Sequence, residues 1–225
     1  MKQHPKLSDY FHAFNSDNIQ YFESVKKYLL MTQKIKGDIV ECGIGRGRSL
    51  IAICHIINEW KQGKKVHAFD SFEGFGFINP QDRSFRDPKN GEWSHSPNEK
   101  IRHNKKFISR ILELHIYEKN FKNVELVKGF VENTLPKHAN KIKKISFLNA
   151  DVDLYSGHTA ILENLWTKIS KNGIIYFDDI YHKKVKKVPF PGARKAYDYF
   201  FAGKRKYIKE LICEKRGNLI VQKII

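Results

Sequence analysis

Apolar residues recur at helical spacing through DNIQYFESVKKYLLMT (17–32), which predicts an amphipathic N-terminal helix. DIVEC (38–42) is a short apolar run with one acid inside it, the pattern of a buried strand. SLIAICHIINEW (49–60) then returns to helical spacing, with Ser49 placed to cap it. KVHAF (65–69), NVELVKG (123–129), KISFLNAD (144–151) and GIIYFDD (173–179) read as four further strands, and EKIRHNKKFISRILELHIYEKN (99–120) and GHTAILENLWTKIS (157–170) as helices. The chain closes with a helix, GARKAYDYFF (192–201), and two β-like runs, YIKELICE (207–214) and NLIVQKII (218–225). Lys215, Arg216 and Gly217 join these runs as a hairpin.

Strands that alternate with helices predict an α/β fold: an open, mostly parallel sheet with helices on both faces and an antiparallel C-terminal hairpin strand. No internal repeat or low-complexity linker divides the 225 residues, so a single domain over 1–225 is expected, with an N-terminal helical segment at about 8–35. GFGFINPQDRSFRDPKNGEWSHSPN (74–98) interrupts the alternation with three Gly and three Pro. A long irregular insertion of that kind is expected to act as a lid or binding loop, the competing reading being a disordered or mobile surface loop.

Composition adjusts this picture in two ways. Lys plus Arg number 41 against 24 Asp plus Glu, a net charge of +17 that would suit a polyanion. The charge is nevertheless scattered in pairs, such as Lys64-Lys65 and Lys143-Lys144, with no run of five and no aromatic-interleaved basic tract. A solvated surface is therefore expected, and nucleic acid is not expected as the main partner. The three cysteines, Cys42, Cys54 and Cys213, form neither a Cys-x-x-Cys pair nor a regular Cys/His spacing, so neither a disulfide framework nor a zinc site is expected. The start of the chain has no apolar signal region and no apolar run is long enough to span a bilayer, which leads to the expectation of a cytoplasmic protein.

Candidate chemistry gathers where strands end. In an open α/β sheet, ligands sit beyond the carboxyl ends of the strands, and here those ends carry Glu41, Asp70, Asp151 with Asp153, and Asp178 with Asp179. A single acid after a strand is ordinarily a turn or cap residue; four such coincidences point to a shared site. Asp151, Asp153, Asp178 and Asp179 offer hard oxygen donors with no Cys or His among them, which suits Mg²⁺, with Mn²⁺ or Ca²⁺ next; the competing reading has two of them binding substrate or capping helices. The glycines after the first strand fall at Gly43, Gly45 and Gly47, and Arg48 stands where a dinucleotide fingerprint requires glycine.

Glu41-x-Gly43-x-Gly45-x-Gly47 resembles the first motif of class I S-adenosylmethionine methyltransferases, and Asp70 then suits the vicinal hydroxyls of a ribose. GDIVECGIGRGRS, VHAFDSFEGF, DVDLY, GIIYFDDIY and PGARKAYDYF, in that order over 36 to about 201, resemble the macrocin O-methyltransferase (TylF/MycF-type) family. The resemblance implies a Rossmann-like class I methyltransferase fold with a seven-stranded sheet. It also implies methyl transfer from S-adenosyl-L-methionine to a sugar hydroxyl with Mg²⁺ bound. Carried onto this chain, it implies cofactor contacts from Glu41, Gly43, Ile44, Gly45, Gly47 and Ser49 in the first loop. Asp70, Ser71 and Phe72 would follow from the second, and Gly129, Phe130 and Asp151 from later strand ends. It makes Asp151, Asp178 and Asp179 the metal ligands and Asp153 the general base. The chain departs from the family pattern at Gly45, at Arg48 and in the SGHT that follows DVDLY, where His158 is either a substrate contact or second base, or a helix cap.

The implied acceptor is a sugar of a glycan, nucleotide-sugar or glycosylated natural product, over which Phe75, Phe77, Phe85 and Trp93 of the insertion would close. The sequence leaves the oligomeric state open, with the N-terminal helix and the insertion as the contact surfaces that a homo-oligomer would use. Two other functions remain open at this point: a metal-dependent glycosyltransferase using Asp151-Val-Asp153, and a nucleic-acid methyltransferase drawn by the +17 charge.

Overall fold

The computed structural model describes residues 16–60, 63–93, 104–115, 123–181, 188–214 and 216–225. Helix α1 (Ser16–Leu30) precedes β1 (Asp38–Cys42), α2 (Arg48–Asn58) and β2 (Val66–Asp70). After the insertion come α3 (Lys105–His115), β3 (Val124–Lys128), α4 (Val131–His138), β4 (Ile145–Ala150), α5 (Tyr155–Leu165) and β5 (Ile169–Tyr181). Helix α6 (Pro191–Phe201) leads into the hairpin of β6 (Ile208–Ile212) and β7 (Asn218–Lys223). Among the described residues, no helix is long and apolar enough to cross a membrane.

All seven strands form one sheet, ordered β3-β2-β1-β4-β5-β7-β6. The first five are parallel, and β7 lies antiparallel between β5 and β6. The chain winds outward from β1 through β2 to β3, then returns to lay β4 on the other side of β1. That reversal opens a crevice beyond the carboxyl ends of β1 and β4.

The period-two alternation of each strand divides the apolar residues between two layers. Val40, Leu148, Ile175 and Val221 face a cluster completed by α4, α5 and α6. Ile39, Phe147, Ile174 and Ile220 face the other, where α1, α2 and α3 pack. In α1 the buried residues Tyr21, Val25, Tyr28 and Leu29 fall at i, i+4, i+7 and i+8, the stripe that the apolar spacing predicts. Each large aliphatic side chain buried this way contributes about 1.5–3 kcal/mol.

Several sequence expectations need correction. Helix α2 starts at Arg48, one residue before Ser49, because Gly47 adopts the left-handed conformation (φ +79°) and serves as its N-cap. Ser49 is turned inward and buried instead of capping. Helix α4 has no counterpart in the sequence reading: Pro136 lies inside it and masks the Val131, Leu135, His138 stripe that faces the core. Asp178 and Asp179 lie within β5, which runs past them to Tyr181. Much of EKIRHNKKFISRILELHIYEKN, the basic residues Lys183 to Lys187 and the end of the insertion (94–98) fall outside the described residues.

Within residues 74–93 the insertion is irregular but anchored. Phe75 N–H donates to the Glu92 carbonyl at 2.9 Å, and Gly91 N–H donates back to the Phe75 carbonyl at 2.8 Å. Phe75 packs with Leu154 and Phe190 in a small apolar cluster. A 3-10 turn, Pro80–Asp82, buries the Asp82 carboxylate, which accepts from Tyr155 N–H at 2.8 Å and Asn79 N–H at 3.1 Å. The three cysteines are buried and unpaired.

Candidate active site

The glycine loop is shaped by what lies beneath and beside it. Gly43 (φ +88°) approaches the loop after β4 so closely that a Cβ there would lie 1.6 Å from the Asp151 carbonyl oxygen. Only glycine permits that packing, which Asp151 N–H reinforces by donating to the Cys42 carbonyl at 2.9 Å. At Gly45 a Cβ would meet nothing within 4 Å, because that position opens into a cavity of about 540 Å³. This volume lies within the range of small-molecule sites, about 300–1,000 Å³.

Asp70, at the end of β2, ties the surrounding backbone together. Its Oδ2 accepts from Ile44 N–H at 2.7 Å and Gly45 N–H at 3.0 Å, while Oδ1 accepts from Phe72 N–H at 2.6 Å. A carboxylate has about four lone-pair sites, so one direction on Oδ1 is left for a ligand hydroxyl. Ser71 Oγ donates to the Gly74 carbonyl at 2.9 Å, and Gly129 N–H donates to the Asp70 carbonyl at 2.9 Å. Gly43, Ile44, Gly45, Ser49, Asp70, Ser71, Phe72, Phe130, Asp151 and Asp153 all line the cavity, with Asp178 on the same wall. Glu41, Gly47, Gly129, Asp179 and His158 do not; of these, Glu41, Asp179 and His158 are buried in the layer behind it.

Glu41 is fully buried in that layer. Its Oε1 accepts from Asn149 Nδ2 at 3.0 Å, and its Oε2 has no hydrogen-bond partner among the described residues. Burial pushes its carboxyl up to about 7, the Ser49 hydroxyl and the Asn149 amide pull it down, and the Asp70 charge adds to the rise. Glu41 therefore underlies the glycine loop and is not among the residues that line the cavity.

The aspartates converge as their strand positions imply. One carboxylate oxygen each from Asp151, Asp153 and Asp179 lies within 4.8 Å of the others. Asp153 holds a left-handed backbone (φ +59°) and its N–H donates to Asp179 Oδ2 at 2.8 Å. Burial raises the Asp151 carboxyl well above the usual range, with the Asp178, Asp179 and Glu41 charges adding to it and Arg216 opposing it. Asp153 is raised likewise, by burial first and then by Asp179 and Asp151. An oxygen-only set whose charges repel fits a hard divalent cation, the same donor chemistry that the sequence pattern suggested.

Asp178 has a different immediate partner. It pairs with Arg216 in the β6–β7 turn, whose guanidinium lies 5.0 Å from the Tyr21 ring centroid, and Asn218 Nδ2 donates to the Asp178 carbonyl. The tightest trio thus contains Asp153 where the sequence reading placed Asp178. His158 is also repositioned: it is fully buried, and its Nε2 meets Asp179 Oδ2 at 3.1 Å. It supports that carboxylate from behind and has no face toward a substrate.

Arg216, Asn149, Tyr21 and Asp82 are the site residues that sequence reasoning missed. Their contacts join positions 38 to 128 residues apart, for which no local pattern exists.

Comparison with known proteins identifies the family of the chain. Residues 17–198 match the model of the macrocin-O-methyltransferase (TylF) family. One relative is the 8-demethyl-8-(2,3-dimethoxy-alpha-L-rhamnosyl)-tetracenomycin-C 4'-O-methyltransferase of Streptomyces olivaceus. It is 26% identical over 171 residues, covering 72% of this chain and 59% of that protein. The demethyldecarbamoylnovobiocin O-methyltransferase of Streptomyces niveus is 26% identical over 172 residues, covering 72% and 60%. The chain thus spans about 60% of the length of the curated relatives it matches. Among solved structures, the calicheamicin methyltransferase CalS11 superimposes with a TM-score of 0.78 at 18% identity, over 97% of this chain and 85% of that one. The O-methyltransferase NovP gives 0.71 at 21%, over 92% and 81%. At such identities these likenesses establish the fold. With the family match extending over most of its length, the chain belongs to the macrocin-O-methyltransferase (TylF) family.

Proposed function

We propose that the protein transfers a methyl group from S-adenosyl-L-methionine to a sugar hydroxyl, with a divalent cation, Mg²⁺ first, held at the aspartate rim. The observation that carries this reading is the meeting of a glycine-lined cavity and a cluster of acids at one crevice. Both relatives are O-methyltransferases, and the name of the first contains a rhamnosyl group. A sugar-bearing small molecule is accordingly the acceptor class.

The residues fit the cofactor. Gly43 and Gly45 leave bare backbone facing the cavity, and Asp70 has an acceptor direction to spare for the ribose. S-adenosylmethionine brings the electrophilic methyl group. The acids fit a cation equally well: Asp151 and Asp179 would hold it, with Asp178 added from the same wall. Bound there, Mg²⁺ would acidify a chelated sugar hydroxyl.

Asp153 accepts the hydroxyl proton at its carboxylate. Burial and the neighbouring acids raise its basicity, the direction a base working near neutral pH needs. With the cofactor bound, the oxygen–methyl bond would form as the sulfur–methyl bond breaks, with the electron pair of the broken bond left on sulfur. His158 holds Asp179 in place, and Phe75 and Trp93 of the insertion close the cavity against water.

Calorimetry with S-adenosylhomocysteine and with UDP is the direct test of cofactor class: binding of UDP alone would replace methyl transfer with glycosyl transfer. In Asp153→Asn, S-adenosylhomocysteine binding is expected to be retained while kcat falls at least about 100-fold. A near-wild-type rate would remove Asp153 from the role of base. Methyl transfer undiminished by EDTA and by Asp178→Asn would remove the cation.

A further inference from the structure

Away from the crevice, toward the opposite ends of the strands, a second group of metal-ligating side chains comes together. His67 of β2 and Glu125 of β3 are paired in register and therefore share a face of the sheet. His138, the last residue of α4, packs edge-on against the His67 ring, with centroids 5.7 Å apart. His67 Nδ1 lies 3.5 Å, and His138 Nε2 3.3 Å, from the same Glu125 oxygen, Oε2.

Both nitrogens are buried and neither has a hydrogen-bond partner among the described residues, although the two residues are only 3% and 7% exposed. The other His67 nitrogen, Nε2, meets Asp38 Oδ2 at 3.4 Å. Each His67 nitrogen thus faces a carboxylate, Asp38 at Nε2 and Glu125 at Nδ1. Lys141 Nζ sits 3.6 Å from Glu125 Oε1 and leaves Oε2 to the two imidazoles.

We propose that His67 Nδ1, His138 Nε2 and Glu125 Oε2 bind a transition-metal ion of the Zn²⁺ class. Ligand atoms about 2.0–2.1 Å from a tetrahedral zinc stand about 3.3–3.4 Å apart, close to the 3.5 Å and 3.3 Å that separate His67 Nδ1 and His138 Nε2 from Oε2. Asp38 supplies the carboxylate that habitually orients a metal-bound histidine through its other nitrogen. Mixed imidazole and carboxylate ligation favours Zn²⁺ over the hard cation expected at the aspartate rim. Glu125 is half-exposed, so the fourth position opens to water. The ion would pin edge strand β3 and the end of α4 to β2. No short Cys/His motif announces the site because its ligands are spread over positions 67, 125 and 138.

Cobalt substitution of the full chain, after EDTA treatment and dialysis, tests the proposal. Four-coordinate Co²⁺ with imidazole ligands absorbs strongly in the visible, whereas six-coordinate Co²⁺ held by oxygen alone absorbs weakly, so the aspartate rim does not imitate the signal. The expected result is one equivalent giving intense visible bands, displaced by Zn²⁺ and lost in His138→Gln and in Glu125→Gln. Glu125 is exposed enough that its substitution leaves the fold intact, as circular dichroism will verify. Weak bands only, or bands unchanged in both variants, would overturn the site and leave a shared proton as what holds the three side chains together. The aspartate-rim reading is unaffected either way.

Discussion

Single residues at the crevice act in two ways, and the sequence exposes only one of them. Gly43, Asp70 and Asp151 were legible because a loop that must admit a ligand after a strand has a local signature. Glu41 shares that signature but supports the loop from below, buried with one oxygen unpartnered. Its carboxyl is raised from 4.5 to about 7, so the stability it contributes is complete below about pH 4.5 and is lost as pH rises through 7. Glu41→Gln is therefore expected to gain on the wild type between about pH 5 and about pH 8, by up to about 3 kcal/mol. A difference in melting temperature that does not vary with pH would sink this assignment. For His158, which touches only Asp179 among the acids, His158→Gln is expected to lower kcat about 10-fold and shift the acidic limb of the pH–rate profile, with S-adenosylhomocysteine affinity unchanged.

At the level of elements, most helices and strands announced themselves through period, and the exceptions have identifiable causes. Pro136 hid α4, and β5 ran on because its last residues are sheltered by α6 and β7, which no window of local sequence contains. The insertion is the more instructive case, because its glycines and prolines correctly forecast irregular backbone but not its attachment. Asp82 reaches from it to the first backbone N–H of α5, where it satisfies an orphan donor and complements the positive end of the helix. Asp82→Ala is expected to cost about 1–2 kcal/mol and to release the insertion to protease. Denaturant unfolding and limited proteolysis would show it, and an unchanged cleavage pattern would mean that the Phe75, Leu154 and Phe190 cluster suffices as the anchor.

Across the whole molecule, the alternation of elements forecast the parallel sheet and its antiparallel hairpin, but not the strand order. The position of β7 between β5 and β6 depends on long-range pairing alone. The +17 charge belongs to the same scale. If it serves only as a solvated surface, turnover of an uncharged sugar acceptor stays within about twofold from low to physiological salt, while a nucleotide-linked acceptor weakens as screening grows. Filter binding over the same salt series would expose a nucleic-acid partner by a steep decline. The placement of β7 also bears on synthesis. Arg216 and Asn218, which hold Asp178, arrive with the last strand, and that strand must slot between two already made. A nascent chain on the ribosome thus has its glycine loop and Asp151 in hand well before the rim is complete. Asp178 therefore meets Arg216 and Asn218 only once the β6–β7 hairpin has paired with β5.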